Sequence, residues 1–193
     1  MSKKITIILG HPNKDSLCGK IADEYKKSAE KNGHEVKQFN LGELDFDPIL
    51  HKGYKEIQEL EPDLVKAQEY IKWADHLVFV YPVWWGSMPA ILKGLIDRIF
   101  LPGFGYKYRK KSIFWDKLLK GRSARLIMTM GGPSIYDNIF LCRAGIKIIK
   151  KGILGFCGIK PVRISRIDKM SSGNKKDINK FLVKIKKLGE KGV

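Results

Sequence analysis

The sequence predicts an α/β protein: a doubly wound, five-stranded parallel sheet in the order 2-1-3-4-5, with helices on both faces. Three observations lead there. Short apolar runs stop at glycine or proline: Ile5-Thr-Ile-Ile-Leu before Gly10, His76 to Tyr81 before Pro82, and Ala124-Arg-Leu-Ile-Met-Thr before Met130-Gly-Gly-Pro. Their length and content suit buried strands. Between them, apolar residues recur at helical spacing, as in Leu17, Ile21, Tyr25 and Ala29. The two patterns alternate from end to end, which gives a parallel sheet covered on both sides. Right-handed crossovers then favour the order given. At 193 residues the chain is expected to form one domain, 1–193.

The elements follow in order. Lys4 to Gly10 is the first strand. A helix runs from about Ser16 to Lys31, with Asp15 or Ser16 as its cap and Asn32-Gly33 as its stop. His34 to Asn40 alternates and is a second, more exposed strand. Leu41 to Leu50 is a loop turning at Pro48. Ile57, Leu60, Leu64, Ala67 and Ile71 predict a helix over about Tyr54 to Trp73, which Pro62 breaks or restarts. His76 to Tyr81 is the third strand, followed by a loop and a helix from Pro89 to Phe100. Leu101 to Tyr108, with two glycines and three aromatics, is expected to be a loop that lines something, and Arg109 to Gly121 to be basic and irregular. Arg122 to Gly131 is the fourth strand and Asn138 to Lys150 the fourth helix. Gly152 to Gly158 is apolar and small, with its conformation left open. Pro161 to Asp168 is the fifth strand. Ser171-Ser-Gly-Asn174 is a turn and cap before a last amphipathic helix whose outer face is lysine-rich.

Composition narrows the function. The net charge is +17, carried mostly by lysines spread along the chain, so solvated helix faces are a sufficient account and no nucleic-acid site is expected. No apolar run approaches the roughly 20 residues of a membrane helix. The apolar stretch after Met1-Ser-Lys-Lys is too short for a signal-peptide core, so a cytoplasmic location is expected. Cys18, Cys142 and Cys157 have no paired spacing, and the four histidines form no ligand motif. Neither a disulfide framework nor a metal site is expected.

In an open parallel sheet, ligands bind where loops leave the carboxyl ends of the strands at the switch point. Three loops converge there: His11 to Cys18, Pro82 to Ser87 and Thr129 to Tyr136. The first opens a helix, so the N–H groups at Ser16, Leu17 and Cys18, with His11 and the Ser16 hydroxyl, suit a phosphate. Neither a dinucleotide glycine fingerprint nor a phosphate-binding P-loop is present. In the second loop, Trp84 and Trp85 form a wall for a flat ligand, or else are ordinary surface or core aromatics. In the third, Gly131 and Gly132 allow close backbone approach and offer N–H donors to ring carbonyls, or else form a simple turn. A phosphate at one end and a tricyclic ring between Trp85 and the glycine loop describe a flavin.

Tyr81-Pro-Val-Trp-Trp-Gly-Ser-Met-Pro-Ala-Ile-Leu-Lys-Gly, Asp97-Arg-Ile-Phe, Phe104-Gly-Tyr-Lys-Tyr, Thr129-Met-Gly-Gly and Gly155-Phe-Cys-Gly, with His11-Pro and Ser16, resemble the flavodoxin-like NAD(P)H:quinone oxidoreductases. That family includes mammalian quinone reductase and bacterial enzymes associated with potassium efflux. The resemblance implies a flavodoxin-like fold, a non-covalent flavin, NADPH or NADH as donor, and a homodimer with active sites at its interface. It further implies a ping-pong cycle in which a quinone or similar flat acceptor takes a hydride after NAD(P)H leaves. His11, Ser16, Leu17 and Cys18 would hold the phosphate end. Pro82, Val83, Trp84 and Trp85 would pack on the ring, and Thr129, Met130, Gly131 and Gly132 would hold its other edge. Tyr106 and Tyr108 would line the acceptor pocket of the other subunit. Tyr136 stands where mammalian members have a catalytic tyrosine, but Cys142 replaces the histidine six residues on and cannot serve as that cation. The short C-terminus, without an adenine-binding extension, favours FMN over FAD. An alternative is an ancillary subunit docked peripherally on a membrane potassium transporter, with oxidoreductase activity secondary. A one-electron carrier fits the closed aromatic pocket less well.

Overall fold

The structure, a computed structural model, describes residues 2–168 and 175–193. The expected turn at Ser171 to Asn174 lies outside the described residues. Strands β1 (Lys4–Leu9), β2 (Glu35–Asn40), β3 (His76–Pro82), β6 (Ser123–Thr129) and β7 (Val162–Ile167) form one parallel sheet in the order β2-β1-β3-β6-β7. Counting only these five, this is the predicted 2-1-3-4-5 order. β3 is buried along its whole length, as expected of a central strand with no polar alternation.

Successive side chains on each strand point to opposite faces, and the core divides accordingly. Ile5, Ile7 and Leu9 of β1, with Val78, Val80 and Ile127, meet α1 (Leu17–Lys31) and α6 (Lys175–Glu190). Ile8, Leu77, Phe79, Tyr81, Leu126 and Met128 meet α2 (Pro62–Trp73), α3 (Ala90–Ile99) and the helical stretch that leads to β7. Buried Thr6 fits the second face because its hydroxyl donates to the Tyr70 carbonyl at 2.8 Å.

The expected helix over Tyr54 to Trp73 begins only at Pro62. Pro62 cannot continue a helix from before it but suits a first turn. The residues ahead of it form turns and irregular chain, with Glu61 itself extended, and wrap the fully buried Arg98 of α3. Its guanidinium donates to both carboxylate oxygens of Glu61 (3.0 and 2.9 Å), to the Glu59 carbonyl (2.8 Å) and to the Asp47 carbonyl. Burial works against the Glu61 charge, but the hydrogen bonds from Arg98, those from backbone N–H groups including that of Asp47, and the Arg98 charge together outweigh it and hold the carboxyl below its ordinary pKa.

Two further expectations are corrected. Tyr106 to Tyr108 and Trp115 to Lys117 are not loop and irregular chain but β4 and β5, an antiparallel ribbon inserted between α3 and β6 that forms a two-stranded sheet of its own, apart from the five-stranded one. The single helix over Asn138 to Lys150 is broken. α4 (Ser134–Ile139) ends before Cys142 and Arg143, both at positive φ, and α5 (Ala144–Lys147) runs into π-helical turns over Ile148–Gly155. Gly152 to Gly158, left open from sequence, is therefore helical through its first part.

Candidate functional site

The carboxyl ends of β1, β3 and β6 carry the three predicted loops, and specific contacts tie them together. The Gly10 N–H donates to the Val80 carbonyl (2.8 Å), and the Val83 N–H donates to the Thr129 carbonyl (2.8 Å). Cys18 Sγ lies 3.4 Å from Thr129 Oγ1. The His11 ring meets Trp84 edge-on, with centroids 5.5 Å apart.

In the first loop, Ser16 caps α1 by accepting the Gly19 N–H at 3.3 Å. The N–H groups of Leu17 and Cys18 meet no acceptor among the described residues. They are the orphan donors of a helix start, aimed where an anion is favoured. His11 Nδ1 accepts the Asn13 N–H at 2.9 Å, which puts the proton of the neutral ring on Nε2 and leaves that N–H as a donor. The Cys18 side chain takes no part. It is buried, burial pushes its thiol up to about 11, and it stays neutral.

The second loop is a tight turn closed by Trp84 N–H to Ser87 O (2.9 Å) and Ser87 N–H to Trp84 O (3.0 Å). Its central residues, Trp85 and Gly86, both have positive φ (50° and 74°), as a primed turn requires. Glycine accepts this readily, but a tryptophan there is an outlier that costs of order 1–2 kcal/mol. The Trp85 indole is nonetheless fully exposed, whereas Trp84 is half-exposed. No packing within the chain compensates the strain, which makes the turn a device for presenting an aromatic face outward. Pro82 is the buried last residue of β3, so it shapes the loop from beneath.

In the third loop, the Met130 N–H is committed to the Ile167 carbonyl (2.9 Å) and the Thr129 side chain to Cys18. Both hold the loop on the sheet. Gly131 and Gly132 extend beyond it at φ values open to any residue, and a Cβ on either would meet nothing within 4 Å. Among the described residues, neither a positive φ nor close packing against a Cβ demands glycine there. The open space fits a flat ring laid close against the backbone. Val83, Gly86, Met130, Gly131, Gly132, Pro133, Tyr136, Asp137 and Leu141 line one cavity of about 210 Å³. Tyr136 is half-exposed and stacks on Phe140 at 5.2 Å. Cys142 is exposed, with its thiol 3.5 Å from the Ile139 carbonyl, and does not line the cavity.

Tyr106 and Tyr108 lie elsewhere, on the β4–β5 ribbon. Tyr106 lines a separate hollow with Tyr54, Phe100, Phe156 and Cys157, with Tyr108 edge-on to it at 5.2 Å. Four participants escaped the sequence reading: Asp137, Arg166, Leu141 and Gly145. Asp137 is buried beside the cavity and ion-paired to Arg166 (2.9 Å), which also has Asp168 at 3.0 Å, and this anchors α4 to the end of β7. Leu141 and Gly145 pack on the Trp turn. The Asp137–Arg166 pair joins residues far apart in sequence, and a single sequence offers no signal for it.

A family model described as the flavodoxin-like fold matches residues 3–188, and the chain belongs to that family. An uncharacterized NAD(P)H oxidoreductase of Haemophilus influenzae is 31% identical over 163 residues, covering 81% of this chain and 79% of its own. NAD(P)H dehydrogenase (quinone) 1 of Cavia porcellus is 29% identical over 184 residues, with 82% of this chain but only 66% of its own length covered. The crystal structure of a Streptococcus mutans UA159 protein superposes with a TM-score of 0.79 at 31% identity, over 97% of this chain and 98% of that one. An FMN-dependent NADH-azoreductase of Bacillus anthracis, solved in complex with FMN, shares the fold with a TM-score of 0.75 at 22% identity, over 99% of each chain. Among the described residues, no helix is long and apolar enough to cross a membrane and no group of His, Cys, Asp or Glu is placed to hold a metal.

Proposed function

We propose that this chain is an NAD(P)H oxidoreductase that holds FMN at the carboxyl end of the sheet and reduces quinones or similar flat acceptors. The observation that carries the reading is the pairing of a strained, fully exposed Trp85 with two glycines that leave open space where a Cβ would stand among the described residues. When bound, FMN supplies two-electron chemistry: a hydride in from NADPH or NADH, and a hydride out to the acceptor in a ping-pong cycle. FMN is favoured over FAD by the azoreductase neighbour, whose structure holds FMN.

The residues divide the remaining work. The Leu17 and Cys18 N–H groups, His11 Nε2 and the Ser16 hydroxyl receive the phosphate. Trp85 and Val83 cover one side of the ring, while Gly131 and Gly132 bring backbone to its polar edge, where N–H donors stabilise negative charge. The Tyr136 phenol is the side-chain donor facing that edge. With Cys142 turned away, proton delivery rests on Tyr136 and backbone donors. Tyr106 and Tyr108 stand apart from this cavity, which supports a homodimer in which each subunit's ribbon covers the other's acceptor site.

The test is the visible spectrum of the purified protein under anaerobic conditions. Flavin bands that bleach with NADPH or NADH and return with a quinone are expected, and the released cofactor is expected to be FMN. A colourless protein that takes up no added flavin would remove the proposal.

A further inference from the structure

The tip joining β4 to β5 and the groove beside it line no part of the flavin cavity of their own subunit. Between Lys107 and Lys120 the chain carries six basic residues and one acid, Asp116, which is spent on Arg109 (2.8 and 2.6 Å). The turn is built rather than loose: Arg109 N–H reaches the Phe114 carbonyl at 3.4 Å and Phe114 N–H reaches Ser112 Oγ at 3.1 Å. At its tip Ile113 is 87% exposed and Phe114 is 63% exposed, next to Arg109, Lys110 and Lys111. Immediately after it, Trp115 stacks on Phe156 (4.3 Å, 19°) and donates its indole N–H to the Phe156 carbonyl at 2.9 Å.

These two rings, with Ile159, Pro161 and Val162, line a groove of about 870 Å³. Lys117, Lys150, Lys151 and Lys160 also line it. No acid occurs from Asn138 to Ile167. Val162 begins β7, so the groove sits at the amino end of the sheet, opposite the loops of the flavin site.

We infer that the β4–β5 tip and its lysine-rimmed groove are a docking surface for an anionic phospholipid bilayer. Each half of the feature has its own physical role. Exposed Phe and Ile on a basic element enter the boundary between headgroups and acyl chains, and lysines near an anionic surface meet the lipid phosphates. One signal alone gives marginal, reversible binding, and this surface carries both. Charge complementarity selects the occupant: Lys110 and Lys111 at the tip and Lys117, Lys150, Lys151 and Lys160 on the rim form a local cationic cluster whose neighbouring acid, Asp116, is already paired with Arg109, and an anionic bilayer neutralises it.

The test is flotation of the full chain with vesicles of phosphatidylglycerol and phosphatidylcholine in equal parts, beside vesicles of phosphatidylcholine alone. It reads binding, not activity, so it stands or falls separately from the flavin proposal. The chain is expected to float with the anionic vesicles only. Ile113→Ser with Phe114→Ser is expected to abolish flotation without altering the melting temperature, and Lys150→Gln with Lys151→Gln to weaken it about 30-fold. The inference is overturned by no flotation on anionic vesicles, by equal flotation on neutral ones, or by undiminished flotation of the Ile113/Phe114 variant. It is equally overturned if that variant turns a dimer into a monomer in vesicle-free sedimentation, since a second copy would then cover the tip.

Discussion

The Gly86 carbonyl oxygen lies against the α-carbon of Gly145, so close that a Cβ on Gly145 would sit 2.2 Å from it. Helix α5 thus braces the turn that carries Trp85 through direct backbone contact. Gly145→Ala is expected to displace the turn, because backbone cannot yield as a side chain does. The cost in stability should be about 1–3 kcal/mol. Flavin affinity should fall about tenfold or more, equivalent to roughly 1.4 kcal/mol of lost interaction. Titration of the apoprotein with flavin, followed by fluorescence quenching, measures this.

Trp85 offers a separable case, since its side chain packs on nothing in the chain. Trp85→Gly relieves the positive-φ strain and is expected to leave stability unchanged or raised by up to about 1 kcal/mol. Flavin retention should fall. Denaturant unfolding beside flavin titration would show the two properties moving in opposite senses. A large loss of stability would refute the strained-turn account.

Gly131→Val tests the glycine loop. With no described residue within 4 Å of an added Cβ, the variant is expected to fold with an unshifted melting temperature yet purify with little flavin. Full flavin occupancy in that variant would place the ring elsewhere.

Arg98 and Glu61 predict a structural defect away from the cavity. Glu61→Ala strips the carboxylate from a fully buried guanidinium and is expected to cost about 3–5 kcal/mol, read by chemical denaturation. The segment from Asp47 to Glu61, which Arg98 holds, should then become the first site of limited proteolysis.

His76 predicts an acid sensitivity. Its ring is buried, Nδ1 pairs with Ser123 Oγ at 2.8 Å, and Nε2 has no partner among the described residues. Burial, aided by Lys3, Arg125 and Arg163, pushes its pKa down to about 3. The unfolded chain takes up a proton near pH 6.5 that the folded chain refuses, so this stability is full above about pH 6.5 and drains as pH falls. The slope approaches about 1.4 kcal/mol per pH unit well below pH 6.5. Unfolding curves between about pH 6.5 and pH 5, above the range of the carboxylates, would show it, and His76→Gln should flatten it.

The sheet order was legible because β1, β3 and β6 are apolar runs cut by Gly10, Pro82 and the Met130-Gly-Gly-Pro stretch. Their alternation with helical spacing left little choice of topology. The β4–β5 ribbon was not legible: three-residue strands in a lysine-rich stretch carry no period of two to recognise. The break at Cys142 and Arg143 was hidden because its cause is the left-handed backbone, not glycine or proline. In the site, Trp85, Gly131, Gly132 and Tyr136 were readable as residue types with a chemical use. The bracing by Asp137, Arg166 and Gly145 depends on contacts between distant segments and becomes visible only in three dimensions.

The ribbon's separation from the five-stranded sheet has a consequence for how such a protein can change. β3 and β6 are neighbours in the sheet, yet all of α3 and the ribbon lie between them in the chain, and the ribbon contributes no rung to the ladder joining them. It can therefore lengthen, shorten or change its surface without shifting the register of the strands beneath the loops. Chain length at that point is a free variable, open to drift while the central frame stays fixed.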